Sequence, residues 1–362
     1  MKVLIVNRVD ALENFGGDTM QMLETQKALK EMGIDVETVL GVQTIETYSK
    51  YDIIHFFNIQ TEEFTYDEVI KAKSLGKKIV VSPIWWNYEQ LMNDLPDNFY
   101  TKKARIVKKI LGKKMLIFLK KLNQKKRNKK RIKILDIADQ ILPNSNMEID
   151  CLKESFDKDY SYKCKVVYNG ISEKYKDVGS VKQLEEIEKQ GYIPFNYATQ
   201  VGRVEIGKNT LLTIRACKEL NIPLIIIGKW SNDEYFYECK KEAEGHKVLF
   251  LGKRSTEEII SVNSNAKLHI LPSFRETPGL ASLEAGALGC NIVSTIVGST
   301  EEYFENYAYY CNPLDYKSIK SSIREAWEND KNKKLRELIL NNYTWNIAAK
   351  QTLEAYEFCS RG

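Results

Sequence analysis

The sequence predicts an α/β protein made of two doubly wound, Rossmann-like domains in tandem, facing a cleft. Three observations carry this. Strand-length apolar runs alternate with helix-length segments. The alternation halts in a polar, Lys/Glu-rich stretch at 172–194 and then restarts. The 362 residues suit two domains at roughly 150 residues each. A hydrophobic content of 43% with 28% charged residues fits a globular chain, while 19 Gly and 8 Pro exclude collagen-like or linker-like sequence. No internal repeat of solenoid period is present.

The elements follow in order. Val3–Val6 is a short buried strand, Gly16-Gly17 turns the chain, and a helix runs from Asp18 to Met32, ended by Gly33. Val36–Leu40, Ile53–Phe57, Lys78–Val81, Ile137–Pro143 and Val166–Tyr168 read as further strands. After the polar stretch come Tyr197–Val201, a helix near Thr210–Leu220, Leu224–Ile227, Val248–Leu251, Leu268–Leu271 and Ile292–Ser294. The chain from Ser318 is largely helical. Such strand–helix–strand units imply parallel sheets covered on both faces. The expected division is 1–172, 173–345, and a last helix at 346–362 that packs back on the first domain.

No apolar run reaches the roughly 18 residues of a membrane span, and the first apolar run is too short for a signal-peptide core. The seven Cys are scattered without a C-x-x-C pair, which suits buried thiols in a reducing cytosol. The net charge of +5 hides an asymmetry. Sixteen Lys/Arg lie between Lys102 and Lys133, where there is no acid, leaving 38 bases against 49 acids elsewhere, a balance of −11. Val107, Ile110, Leu111, Met115, Phe118, Leu119 and Leu122 recur there at helical spacing, so an amphipathic basic helix is expected, with a possible break at Gly112. An anionic membrane surface suits it, each base near one contributing about 1 kcal/mol. Nucleic acid is the rival partner, but no recognition module accompanies the helix. A solvated helix whose apolar stripe packs on its own domain is the plain alternative.

The richest segment is Leu271 to Gly289. A buried strand ends at Pro272, the loop carries Glu276, and Gly279 lets backbone approach a ligand closely. The helix that starts near Leu280 would direct free N–H groups at an anion such as a diphosphate. Glu284 sits one turn inside it, so the two carboxylates flank the phosphate position. Arg203 and Lys208, five positions apart after a strand, suit a developing diphosphate charge.

Glu276 and Glu284, with Pro278-Gly279-Leu280 between them, resemble the E-x7-E signature of retaining GT-B glycosyltransferases of family 4 (glycosyl transferases group 1). Val201 to Lys208 is similar to the family's G-R-x-x-x-x-K segment. Val248 to Gly252 with the Glu257-Glu258 helix resembles its strand beside the nucleotide base, Tyr168-Asn169-Gly170-Ile171 its P-N-G-[VI] with Tyr168 for the proline, and Tyr343-Thr344-Trp345 its [FY]-[ST]-W. The resemblance implies donor binding by Gly16, Gly17, Arg203, Lys208, Gly252, Lys253, Glu276, Pro278, Gly279, Leu280 and Glu284. Glu276, Arg203 and Lys208 would be catalytic, Glu276 holding sugar hydroxyls and Glu284 the ribose.

On the acceptor side the chain departs from many relatives, because Val80 to Trp86 contains no histidine. His55, Trp85, Trp86 and Asn87 are the acceptor-side candidates; a core role is equally open to His55 and to the tryptophans. His246 and His269 read as structural. Asp157-Lys158-Asp159 mimics a metal-holding D-x-D but follows no apolar strand, and no metal cluster, G-x-S-x-G elbow or Walker loop occurs. The expected function is therefore retaining, metal-independent transfer of a sugar, without a cofactor, from a nucleotide-diphosphate donor (a UDP-sugar) to a lipid-linked or polysaccharide acceptor. The expected site of action is cytoplasmic, peripheral on the inner face of the membrane through residues 102–133. The alternatives are a GT-B sugar-nucleotide epimerase and a basic-helix nucleic-acid-binding protein.

Overall fold

The computed structural model describes residues 1–87, 113–176 and 181–361, with side chains from residue 124 onward in the long helix that starts at Lys113. The chain divides into two compact units, Met1–Asn169 with Trp345–Gly362, and Gly170–Thr344.

The first unit holds β1 (Lys2–Asn7), β2 (Asp35–Leu40), β3 (Ile53–Phe57), β4 (Lys78–Ser82) and β5 (Gln140–Ile141), all parallel in the order β2-β1-β3-β4-β5. Its helices are α1 (Gly17–Glu31), α2 (Ile45–Ser49), α3 (Glu62–Ser74), α4 (Lys113–Ile137) and α5 (Asn146–Phe156), with the last helix of the chain, α14 (Trp345–Arg361), against α1. One face of the sheet presents Leu4, Val6, Ile54, Phe56, Ile79 and Val81 to α3, α4 and α5. On the other face His55, in register with Ile5 and Val80, meets Tyr356 of α14. Burial on both faces explains why these strands read as unbroken apolar runs.

Two expected strands change. Ile137 ends α4, whose C-terminal carbonyls of Asp136 and Ala138 accept from Lys163 Nζ at 3.1 and 3.0 Å. Val166–Tyr168 forms no strand. Its chain runs beside β5 through Lys165 N–H to Ile141 O and Val167 N–H to Pro143 O, both 2.9 Å. Pro143 has no N–H to return, so the ladder stops there.

The basic segment, sixteen bases with no acid among them in sequence, is partly compensated by acids from elsewhere in the chain. Arg127 and Arg131 both reach the buried Glu62 in the first turn of α3, at 3.1 and 2.8 Å to Oε2, and Lys130 pairs with Glu63. Arg131 is itself buried, its guanidinium 4.5 Å from the Trp85 ring centroid. Lys125, Lys126, Lys129 and Lys133 remain exposed, on one face of the helix by their spacing. Residues 102–112, including the possible break at Gly112, lie outside the described residues. Among the described residues no helix is long and apolar enough to cross a membrane.

The second unit holds β6 (Ala198–Val201), β7 (Leu224–Ile227), β8 (Val248–Gly252), β9 (Leu268–Leu271), β10 (Asn291–Thr295) and β11 (Tyr309–Cys311), parallel in the order β11-β10-β9-β6-β7-β8. The edge strand β11 has three residues, only Cys311 of them fully buried, and gives no apolar run to read. The helices are α6 (Glu185–Lys189), α7 (Thr210–Glu219), α8 (Asp233–Ala243), α9 (Thr256–Ser264), α10 (Leu280–Ala287), α11 (Thr300–Phe304), α12 (Tyr316–Glu328) and α13 (Lys333–Asn342). Gly286 lets α10 lie close to its neighbours: a Cβ there would stand 2.6 Å from Ile339 Cδ1 of α13. In each unit the strand order reverses at one place, between β1 and β3 and between β6 and β9. Such switch points open crevices at the strands' carboxyl ends.

Candidate functional site

In the second unit the two loops singled out by sequence flank the same switch point, one after β6 and one after β9. β6 pairs with β9 only at Ala198–Leu268 and Thr199–His269, whereas its pairing with β7 continues to Val201–Ile227. The strands therefore part beyond Thr199. The Val201 N–H left without a ladder partner donates to His269 Nε2 at 3.3 Å, so the imidazole carries its proton on Nδ1, 3.4 Å from Ser282 Oγ in the first turn of α10. Burial holds His269 down to about 3, with the Lys208 charge adding to the effect, and the ring is neutral.

The loops are stitched together. Gln200 Nε2 donates to Lys208 O at 2.9 Å, Phe274 N–H to Gly207 O at 3.0 Å, and Asn209 Nδ2 to Pro272 O and Pro313 O at 3.1 and 2.7 Å. Asn209 holds φ +58, a conformation that asparagine tolerates. Lys208 Nζ lies 2.5 Å from Glu276 Oε1, and Glu276 is only 7% exposed. Backbone bonds fix the Glu276 loop from beneath: its N–H donates to Val297 O and its carbonyl accepts from Ser299 N–H, both at 3.1 Å. Two glycines allow this. A Cβ on Gly298 would stand 2.0 Å from Glu276 O, and one on Gly228 would stand 1.9 Å from Gly202 O.

Gly279, at φ +85, precedes α10 and supplies no side-chain cap, so the helix start keeps unfilled N–H groups. Pro278 is buried beside it, Leu280 is half-buried, and Glu284 lies half-buried one turn into the helix. Arg203 is not drawn into this cluster. Its side chain is 65% exposed and pairs with Glu205 at 3.3 Å. Gly252 ends β8 at φ +68, its carbonyl accepting from Gly228 N–H at 2.8 Å, and Lys253 after it is exposed. The structure thus joins Lys208, Glu276 and Gly279, and leaves Arg203 and Lys253 open to solvent.

The switch point of the first unit carries a cluster that sequence reading passed over. Arg8, just after β1, donates from Nε to Asp18 Oδ2 (3.2 Å), from Nη1 to Asp10 Oδ1 (2.8 Å) and from Nη2 to Asn14 O (2.8 Å). Asn58, following β3 at φ +72, donates to the same Asp18 oxygen at 3.0 Å. Gly16 and Gly17 lie inside this loop. A Cβ on Gly17 would meet nothing within 4 Å. Two acids and an arginine within eleven residues of a strand end was the signal available.

The acceptor-side candidates fare differently. His55 is a core residue: Nδ1 lies 2.7 Å from Tyr356 Oη and Nε2 2.9 Å from Ser82 Oγ, and burial alone pushes it down to about 3. Trp85 is buried, not a platform. Its indole lies 5.0 Å from the Phe156 ring at a tilt of 38° and donates to Ser155 Oγ at 2.9 Å, while its backbone N–H donates to the buried Glu148 at 2.6 Å. Burial raises the Glu148 carboxyl to about 7. Trp86 is also buried, its carbonyl accepting from Gln60, and Asn87 is half-buried, accepting from Gln124 at 3.4 Å. Asp157 caps the C-terminus of α5, and Asp159 accepts from Ser161 N–H at 2.9 Å and pairs with Lys153 at 3.5 Å. Among the described residues no group of three or more His, Cys, Asp or Glu is placed to hold a metal.

Residues 182–345 match the family model described as glycosyl transferases group 1. An uncharacterised glycosyltransferase of Methanocaldococcus jannaschii is 29% identical over 217 residues, 54% of this chain and 54% of that protein. D-inositol 3-phosphate glycosyltransferase of Corynebacterium jeikeium is 29% identical over 180 residues, 46% of this chain and 43% of the relative. The chain spans about half the length of the curated relatives it matches. Among solved structures, sucrose-phosphate synthase of Thermosynechococcus elongatus superposes with a TM-score of 0.72 at 14% identity, covering 99% of this chain and 98% of that one. HepE of Anabaena, solved with UDP and glucose, gives 0.70 at 14%, covering 99% of each. At such identity the likeness is one of fold, two parallel-sheet Rossmann-like domains. The part of the chain that matches the glycosyl transferases group 1 model, residues 182–345, includes the Lys208–Glu276 pair.

Proposed function

We propose that the protein is a retaining glycosyltransferase that moves a sugar from a nucleotide-diphosphate donor, a UDP-sugar, to a hydroxyl of a lipid-linked or polysaccharide acceptor. The observation that carries this is the Lys208–Glu276 pair beside the uncapped start of α10 at a sheet switch point. Lys208, Arg203 and the N–H groups of α10 take the diphosphate charge as it develops on the leaving group. Glu276, released from Lys208 when the diphosphate arrives, holds sugar hydroxyls, and Glu284 holds the ribose. Gly252 and Lys253 border the base. Retention and the UDP preference rest on the family resemblance; HepE, of the same fold, is a protein solved with UDP. Incubation with a panel of nucleotide sugars, with and without lipid extract, tests the reading. Nucleotide release with sugar joined to a lipid or glycan is expected. Conversion of the nucleotide sugar without an acceptor would instead mean an epimerase.

Gly17 gives a sharper local test of the first unit's part in the reaction. Alanine there meets no protein atom, and Gly→Ala at a helix start without strain stabilises by about 0.4–1 kcal/mol. Gly17→Ala should therefore melt no lower than the natural protein and yet transfer sugar more slowly, because its methyl group occupies space meant for substrate. Unchanged turnover would remove Gly17 from the site.

The same proposal includes peripheral attachment to an anionic membrane through residues 102–133. Among the described residues Lys125, Lys126, Lys129 and Lys133 are the cations free to meet it, since Arg127, Lys130 and Arg131 are bound to α3. Replacing those four lysines by glutamine should weaken sedimentation with phosphatidylserine vesicles and leave UDP binding intact. Undiminished sedimentation of the variant at physiological salt would make the helix scaffold only.

A further inference from the structure

We infer that Arg8 is a positioning residue that presets the Gly16-Gly17 turn for substrate; this rests on the transferase reading above. The loop from Arg8 to Gly16 is not held by apolar burial. Of its four apolar residues only Ala11 is buried, while Val9, Leu12 and Phe15 are 75%, 58% and 48% exposed. A nine-residue loop with so little buried surface would move freely if nothing else held it. Polar bonds hold it instead, and they converge on one side chain. The Arg8 guanidinium ties three separate points of the loop, Asp10, Asn14 and Asp18, through three different nitrogens. Its planar fork is what makes three fixed directions available; an ammonium on a flexible stem has no such geometry.

The cage is anchored to the rigid sheet and interlocks with the turn. Asp18 Oδ2 receives both Arg8 Nε and Asn58 Nδ2, so the loop after β1 is bound to the loop after β3 across the switch point. Asn14 Nδ2 closes the ring on Asp10 Oδ2 at 2.7 Å. Asp18 Oδ1 lies 2.9 Å from where a Gly16 Cβ would be, so the carboxylate packs directly under the turn. The charges of Asp10 and Asp18 offset that of Arg8, which leaves the cage poorly suited to bind a phosphate itself. Its part is to hold the backbone of Gly16 and Gly17, and the start of α1 that has no side-chain cap, in one conformation. Loss of that order acts on turnover, since misplacing a substrate-contacting backbone by about 1 Å costs roughly 100-fold in rate.

The test compares Arg8→Met, which keeps the apolar stem, and Arg8→Lys, which keeps the charge, with the natural protein. Three quantities are read: amide hydrogen exchange at residues 9–17, UDP affinity, and kcat for sugar transfer. In Arg8→Met, exchange at 9–17 should rise about tenfold or more, with the second unit unchanged. UDP affinity should stay within about twofold, and kcat should fall about 100-fold. Arg8→Lys should recover only a small part of the loss. Unchanged exchange in Arg8→Met, or a loosened loop with normal kcat, would overturn the inference. If the natural protein transfers no sugar from any donor, the transferase reading fails by itself, and the exchange comparison still decides whether Arg8 orders the turn.

Discussion

Alanine at Lys208 should lower sugar transfer by about 10²–10³-fold, the cost typical of removing one preorganised group that stabilises developing negative charge. Lys208 sits where its main chain is fixed twice, by Gln200 to its own carbonyl and by Phe274 to that of Gly207, so its ammonium is aimed before any ligand arrives. Its partner Glu276 is almost wholly buried, and without Lys208 that carboxylate loses this ion pair. A stability loss of about 1–3 kcal/mol should therefore accompany the loss of activity. Glu276→Gln separates the two effects. The amide keeps the shape and still accepts from Lys208, so the melting temperature should change little, while the proposed grip of the carboxylate on sugar hydroxyls predicts that transfer falls by a comparable factor. Steady-state transfer and thermal melting on both variants check this. Near-normal turnover in both would remove the pair from the reaction.

Alanine at Gly298 should be among the most damaging single methyl groups in the second unit, and the one that strikes the Glu276 loop directly. Gly298 has φ +113, a region nearly closed to residues with a Cβ, and its Cβ would stand 2.0 Å from the Glu276 carbonyl oxygen. That oxygen is backbone, already accepting from Ser299 N–H, and cannot swing aside as a side-chain tip could. Strain of this kind with a broken loop bond costs about 3 kcal/mol or more. The Glu276 loop must shift, so transfer should be lost even where enough folded protein survives to assay. Gly17→Ala, which meets open space, is the matched control for stability. Equal stability of Gly298→Ala and the natural protein would show that the Glu276 loop is not held as described.

The fold was legible because strands buried on both faces leave continuous apolar runs, and both sheets have such strands. Tyr309–Cys311 left none, being three residues at an edge. Val166–Tyr168 was misread because an apolar run of strand length does not reveal that its neighbour, Pro143, cannot complete a ladder. The loops that carry Lys208 and Glu276 were legible because each lies just after a strand; the ion pair between the two residues was not, since it depends on β6 lying next to β9. The Arg8 cage was not, since positions 8, 18 and 58 meet only because β3 lies next to β1. Trp85 was ambiguous for the same reason: it packs against α4 and α5, which come from far along the chain. The acids that neutralise Arg127, Lys130 and Arg131 are likewise about 65 residues away, in α3.

The central claim is that a nucleotide diphosphate binds at the β6–β9 switch point, on Lys208 and the start of α10. Calorimetric titration of UDP into the natural protein and Lys208→Ala, under identical salt, tests it most directly. Saturable binding to the natural protein, weakened about tenfold or more in the variant, is the predicted result. Equal affinity in the two, or no binding to the natural protein, would contradict it.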